Sequence, residues 1–278
     1  MDISSLLAAR AVNIRASGIR RIFDLGATLK DPINLSIGQP DFDVPTPIKR
    51  AAVDAIETRR NGYSLTQGAP ELRAHVAQRL KQDLAWDVAD TDDGFGSIIT
   101  SGTSGALHLA MMTLLNPGDE AILADPYFVA YPNLVTLAGG KPVLCDTYPD
   151  GKMTAERVAP LITDRTKLVL LNTPANPTGV VLSQQECNDL RDLCASRGVL
   201  LISDEIYDEF LFPEARTGVE ADGKTPALPS PCRVDGSQDD VLLIRGFGKT
   251  FGLTGWRLGY AAGPRAVLQE MAKLQQFT

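Results

Sequence analysis

From residue 97 onward, short apolar runs alternate with helix-like stretches, and this alternation constrains the fold more than any other feature of the chain. The runs are SIIT (97–100), EAILA (120–124), KPVLC (141–145), KLVLLN (167–172), GVLLIS (198–203) and DVLLIR (240–245). Between most of them lie helix candidates at 103–115, 128–138, 154–163 and 183–197. Near-continuous apolar runs suit strands of a parallel sheet covered on both faces. Alternating strands and helices with right-handed crossovers give an α/β fold. The expectation is a three-layer α/β/α domain with a mostly parallel sheet. The helix at 183–197 is the best marked: Ser183 and Glu186 form a capping box, and Gly198 stops it. Further helices are expected at 46–60 and 69–83, and an amphipathic helix within 1–30, outside the alternating core. Phe212 to Asp240, rich in Pro, Gly and charge, reads as an irregular surface excursion.

The chain has 278 residues, 44% hydrophobic and 22% charged, enough to bury a large core. A net charge of −7 argues against nucleic acid as a partner, because phosphate-backbone surfaces are basic. No apolar run approaches the roughly 20 residues of a membrane span. The first residues lack the basic start, apolar middle and cleavage site of a secretory leader, so the cytoplasm is the expected location. Cys145, Cys187, Cys194 and Cys232 show no C-x-x-C spacing, which speaks against disulfides and a zinc site. Cys187 and Cys194, seven apart on one helix, read as small core hydrophobes.

The segment RGFGKTFGLTGWRLGY (245–260) contains Gly-Lys-Thr at 248–250, the ending of a phosphate-cradling loop. That loop needs a glycine five positions before Gly248, and Leu243 stands there, inside an apolar strand. No Gly-x-Gly-x-x-Gly opens a helix after a strand either. Nucleotide binding of either type is therefore not expected, and Lys249 needs another role.

Three other polar features fall at strand ends, where ligand crevices of α/β sheets lie. NTPANPTG (172–179) holds Asn176 on a loop stiffened by two prolines. SDEIY (203–207) puts Asp204 at the end of an apolar strand, with Tyr207 three residues on. SGTSGAL (101–107) starts an apolar helix with Gly102, Thr103 and Ser104, a ready phosphate site. Taken singly, each is an ordinary turn, cap or solvated charge. Taken together they suit pyridoxal 5'-phosphate: an amine for its aldehyde, a buried carboxylate for its ring nitrogen, and an arginine with a helix start for its phosphate. His75 and His108 lie within helices and read as structural.

With these motifs in order, the chain from about Asn34 to its last residue resembles the class I aminotransferases, the fold type I pyridoxal-phosphate enzymes. SIGQPDF (36–42), YSLTQGAPELR (63–73) and DPYFVAYP (125–132) join the motifs above. The resemblance implies that Lys249 forms the internal imine and then shuttles the substrate α-proton, and that Asp204 pairs with the ring nitrogen. It implies that Tyr207 and Asn176 contact the ring oxygen, Asn176 also touching substrate, that Phe128 stacks on the ring, and that Gly102, Thr103, Ser104 and Arg257 hold the phosphate. Gly38 is implied to meet the substrate carboxylate through its N–H. Tyr63 is implied to reach the phosphate of a neighbouring subunit, which makes the chain a homodimer with shared active sites. The implied division is 1–40 as N-terminal helix and arm of the small domain, and 41–278 as the large cofactor-binding domain.

Two departures from the family pattern stand out. Gly246 and Gly248 occupy positions where many relatives have serines beside the lysine, so one phosphate hydroxyl is missing. Family chains also continue well past a point like Thr278, through most of the small domain and the arginine that binds the substrate α-carboxylate. The expected activity is transfer of an amino group from an α-amino acid to a 2-oxo acid. The cofactor residues alone leave open a β-eliminating lyase on the same scaffold, or a cofactor-binding fragment without turnover.

Overall fold

The computed structural model describes the whole chain except residues 15–17, 19–21, 23, 24, 27, 32, 34–37, 59 and 89–95. Its principal elements are α1 (Ala9–Val12), α2 (Thr46–Glu57), α3 (Pro70–Leu84), β1 (Ser97–Ser101), α4 (Gly102–Leu114), β2 (Glu120–Asp125) and α5 (Ala130–Leu137). They continue with β3 (Lys141–Asp146), α6 (Ala155–Val158), β4 (Thr166–Asn172), α7 (Gln184–Ser196) and β5 (Leu200–Asp204). The short pair β6 (Gly218–Val219) and β7 (Pro226–Ala227) precedes β8 (Val241–Gly246), β9 (Leu258–Ala262) and α8 (Arg265–Gln275).

Seven strands form one sheet in the order β1-β9-β8-β5-β4-β2-β3. β9 runs antiparallel to both β1 and β8, and the other pairings are parallel. Successive side chains of each strand go to opposite faces, and the core divides accordingly. Val169, Leu171 and Leu201 pack with Leu80 of α3 and with Cys187, Leu190 and Cys194 of α7. Leu168, Leu170 and Ile202 pack with Leu107 and Met111 of α4, Val135 of α5 and Leu268 of α8. Two helical layers enclose the sheet, and Cys187 and Cys194 are core residues. α7 starts on the expected capping box, with the Ser183 hydroxyl accepting from Glu186 N–H and the Glu186 carboxylate accepting from Ser183 N–H at 2.7 Å.

Two expectations need correction. A single helix does not begin the chain: Ser4–Leu6 is a 3-10 turn, and extended Leu7 separates it from α1. The Asp2 carboxylate accepts the Ser4 N–H at 3.0 Å, and the Ser5 hydroxyl donates to the Asp2 carbonyl at 2.8 Å. Such local bonds compete with helix propagation, and this segment buries no residue that could offset them. The remainder of that expected helix falls largely outside the described residues. The excursion at 212–240 is irregular but not all surface. Leu228, Ser230, Cys232 and Ser237 are buried, and the Trp86 indole N–H donates to the Cys232 carbonyl at 3.0 Å and the Ser237 hydroxyl at 3.1 Å. Among the described residues, no helix is long and apolar enough to cross a membrane.

Candidate active site

The parallel strands end on one edge of the sheet, and there they deliver the polar residues. Asn172 closes β4 opposite Asp204, the last residue of β5, and Asp204 in turn lies opposite Ile244 of β8. Gly246 closes β8, and the loop after it carries Lys249. Because β9 is reversed, the residue before it, Arg257, returns to this same edge beside the start of α4. A cavity of about 350 Å³ opens there. Gly38, Gly102, Thr103, Ser104, Phe128, Asn176, Asp204, Tyr207, Lys249 and Arg257 all line it. Tyr63 does not; it is fully exposed. Ser36 and Ile37 of the SIGQPDF motif lie outside the described residues.

One end of the cavity is built by close backbone approach. Gly102 has φ 67°, and a Cβ on it would lie 2.7 Å from Arg257 Nη2. A Cβ on Gly259 would lie 2.7 Å from the Gly102 carbonyl carbon. Two glycines thus let β9 and its arginine lie against the first turn of α4. Arg257 itself has φ 55°, a left-handed conformation that costs a non-glycine residue about 1–2 kcal/mol. Its Nη1 donates to the Thr254 carbonyl at 3.0 Å, which fixes the guanidinium. The result is a guanidinium and a helix N-terminus at one spot, a combination suited to a dianion.

At the other end, Asp204 is 2% exposed. Burial pushes its carboxyl up to about 6, against hydrogen bonds that favour the ionised form. Those bonds are the Tyr131 hydroxyl on Oδ2 at 2.9 Å and the Ile206 N–H on Oδ1 at 3.2 Å. Its backbone carbonyl accepts from Asn172 Nδ2 at 2.9 Å and from Thr173 N–H at 3.1 Å. Asn172 Oδ1 also accepts the Asn176 N–H at 2.7 Å, which anchors the proline-rich loop to the strand end. Asn176 Nδ2 lies 3.4 Å from the Tyr207 hydroxyl. Burial, then the Asp204 charge, raises the Tyr207 phenol, so the hydroxyl stays protonated and able to donate.

Lys249 sits between these ends, half-buried, with Nζ 5.5 Å from the Tyr207 ring centroid and donating to the Gly38 carbonyl. Gly38 therefore meets the lysine through its carbonyl; the expected role of its N–H is a separate matter. Burial and then the nearby Arg257 lower the lysine's pKa, which increases the fraction of free amine. Phe128 lies in edge-to-face contact with Tyr131 at 5.5 Å between centroids.

Tyr131 and Asn172 are site residues that the motif reading passed over. Both stand inside quoted motifs, Tyr131 one helical turn after Phe128 in DPYFVAYP and Asn172 at the head of NTPANPTG. A buried ionic cluster beneath the site was also passed over. Arg245 bonds Glu205 Oε2 through Nη2 at 2.7 Å and Asp83 Oδ2 through Nη1 at 2.6 Å, with all three residues buried. Ser203 and Ser230 hydroxyls donate to Glu205 Oε1 at 2.9 and 2.6 Å. This ties down the residue immediately after Asp204.

The donor set fits pyridoxal 5'-phosphate. An amine, a buried carboxylate that has no cation in hydrogen-bond contact among the described residues, an aromatic wall and a guanidinium at a helix start share one cavity. The cleft at Gly102 has the close approach that a Cβ would fill.

Comparison with known proteins agrees. The family described as Aminotransferase class I and II matches residues 30–278. The aspartate aminotransferase of Pyrococcus abyssi is 33% identical over 266 residues, which are 95% of this chain and 65% of that protein. Aromatic-amino-acid aminotransferase 2 of Thermococcus litoralis is 34% identical over 273 residues, 98% of this chain and 67% of its own length. The solved aspartate aminotransferase from Thermus thermophilus with maleate superposes with a TM-score of 0.88 at 33% identity, over 98% of this chain and 68% of that one. The chain thus spans about two thirds of the length of these relatives. By sequence and by fold, it belongs to the class I and II aminotransferases.

Proposed function

We propose that this chain carries the cofactor site of a pyridoxal-phosphate-dependent transaminase, which moves an amino group from an α-amino acid to a 2-oxo acid. The observation that carries this reading is the placement of Lys249, Asp204 and Arg257 around one cavity with the first turn of α4. When bound, the cofactor supplies an aldehyde for amines and a protonated ring that draws electrons from the bonds at the substrate α-carbon.

The residues have separate tasks. Arg257, Gly102, Thr103 and Ser104 hold the phosphate through charge, backbone N–H groups and hydroxyls. Asp204 keeps a proton on the ring nitrogen; a cation at that position brings its pKa down from about 6, so the buried charge is compensated only when the site is filled. Tyr207 and Asn176 donate toward the ring oxygen, and Phe128 covers a ring face. Lys249 Nζ is the nucleophile, and afterwards the base that would take the α-proton of the amino acid and carry it to the cofactor carbon. Burial, then Arg257, lowers the lysine's pKa, which enlarges the fraction of free amine that both tasks use. Gly38 and Asn176 lie where the substrate carboxylate enters.

Exposed Tyr63 is assigned to the phosphate of a second copy, making a homodimer part of the same proposal; its wholly exposed ring is consistent with that. A cytoplasmic setting also belongs to it, where the four buried thiols stay reduced. The division into an N-terminal arm at 1–40 and a large domain at 41–278 follows the same reading.

The test is a visible spectrum of the chain with pyridoxal phosphate, beside Lys249→Ala. An absorbance band in the wild type that disappears in the variant supports the assignment. A panel of amino acids with 2-oxo acid acceptors then distinguishes transfer from elimination: nitrogen appears on the acceptor, or pyruvate appears with ammonia. Binding of the cofactor by both proteins without a lysine-dependent band overturns the role of Lys249.

A further inference from the structure

We propose that Tyr131 is a positioning residue for Asp204: its phenol fixes the rotation of the carboxylate on the cavity wall and holds it in the ionised form. The proposal rests on the reading of Asp204 as the partner of the cofactor's ring nitrogen. Tyr131 is 4% exposed and sits on α5, whereas Asp204 ends β5, 73 positions later in the chain. A buried phenol requires a hydrogen-bond partner, and a phenylalanine fills the same space without that demand. The Tyr131 partner is Asp204 Oδ2, at 2.9 Å.

The second carboxylate oxygen is held from another direction, by the Ile206 N–H at 3.2 Å. One donor comes from a packed helix and one from the chain's own next turn. Together they prevent rotation about the carboxylate bond and leave each oxygen a free lone pair. The Tyr131 ring is itself held by Phe128, edge-to-face at 82° between planes. The turn that enters α5, closed by the Tyr131 N–H on the Phe128 carbonyl at 3.0 Å, therefore supplies both the aromatic wall of the cavity and the donor behind its acid.

The surroundings favour this assignment over simple packing. The ionisable groups that bear on Asp204 are Tyr131 from α5, and Glu205 and Tyr207 from its own segment. Glu205 is turned away onto Arg245, and Tyr207 toward Asn176. Lys249 lines the same cavity. Tyr131 is thus the one side chain in hydrogen-bond contact with the carboxylate among the described residues. Burial raises its phenol well above the ordinary value, so it remains a donor throughout the pH range of interest.

The experiment compares wild type, Tyr131→Phe and Phe128→Leu, each folded as judged by urea titration. The Asp204 carboxyl carbon is followed by NMR across pH in the cofactor-free chain, its resonance identified by Asp204→Asn. Pyridoxal phosphate binding is measured separately. Loss of the phenol donor is expected to raise the Asp204 midpoint by about one pH unit, tenfold in the protonation equilibrium. Cofactor Kd is expected to rise by roughly the same factor at a pH near that midpoint. Phe128→Leu removes the ring contact but keeps the phenol, and should move the midpoint less than Tyr131→Phe does. An Asp204 midpoint unmoved by Tyr131→Phe overturns the positioning role. If the midpoint moves but the wild type binds no pyridoxal phosphate, the transaminase reading fails and the hold of Tyr131 on Asp204 stands. If the cofactor binds through Lys249 and the midpoint is unmoved, the positioning role fails alone.

Discussion

Asp204→Asn should stabilise the cofactor-free chain while destroying its cofactor site. Asp204 is 2% exposed, and its carboxyl is pushed from the ordinary value of 3.8 to about 6. Its charge is therefore tolerated worse in the folded chain than in the unfolded one. A raised folded pKa means that the folded state binds the extra proton between about pH 4 and 6, so this site's penalty is absent in acid and complete above about pH 6. At 1.36 kcal/mol per pH unit, that penalty is about 3 kcal/mol. Asparagine keeps the shape, offers Oδ1 to the Ile206 N–H and an amide N–H to the Tyr131 oxygen, and carries no charge. Urea denaturation of both proteins without cofactor, at pH 8 and again at pH 3, checks this. The variant should be more stable by up to about 3 kcal/mol at pH 8, or roughly 6–12 °C in melting temperature, with the gap closing at pH 3. Pyridoxal phosphate should reverse the ranking at pH 8 by stabilising only the wild type. An equal stability at pH 8, or a gap that does not change with pH, would refute the argument that Asp204 is an under-compensated buried charge.

Other perturbations test other parts of the site. Gly102→Ala places a Cβ 2.7 Å from Arg257 Nη2 at a left-handed φ; it should cost about 1–2 kcal/mol of stability and weaken pyridoxal phosphate binding, both readable by thermal melts with and without cofactor. Gly248→Ser meets nothing closer than 3.7 Å and should restore a phosphate hydroxyl, tightening cofactor Kd a few-fold in an absorbance titration. Gly246→Ser places a Cβ 2.9 Å from Ile206 Cδ1 and 3.0 Å from Thr103 Cγ2, and the same titration should show weaker binding. Arg245→Met strands the Glu205 carboxylate without its cation and leaves Asp83 with Arg233 alone; it should cost about 3–5 kcal/mol in urea, although it touches no cavity-lining atom named above.

What could be read from the sequence was local. The six apolar runs became six strands: burial on both faces leaves a continuous signature in the inner strands, while the edge strand β3, with Leu144 exposed, was legible from its apolar run alone. The capping box at Ser183 and Glu186 formed because its two bonds join residues three apart. Lys249, Asp204 and Asn176 were found because strand ends and proline-rich loops mark themselves. β9 was not found as a strand. Leu258 to Ala262 follows the lysine loop directly, yet it inserts between β1 and β8, and no periodicity encodes which gap a strand fills. The same limit hid the partners of the buried charges. Asp83 and Asp204 are equally buried, at 3% and 2%. Burial pushes both carboxyls up, but Arg245 and Arg233 more than offset it at Asp83 and bring it down to about 2, whereas a phenol and one N–H leave Asp204 at about 6. Arg245 ends an apolar strand and Asp83 a distant helix, so nothing in either segment announces the pair. The difference between a structural carboxylate and a reactive one is therefore not burial but the cation that the fold supplies or withholds. At Asp83 the protein supplies two; at Asp204 it supplies none in hydrogen-bond contact among the described residues, and the proposed function gives that place to a ring nitrogen.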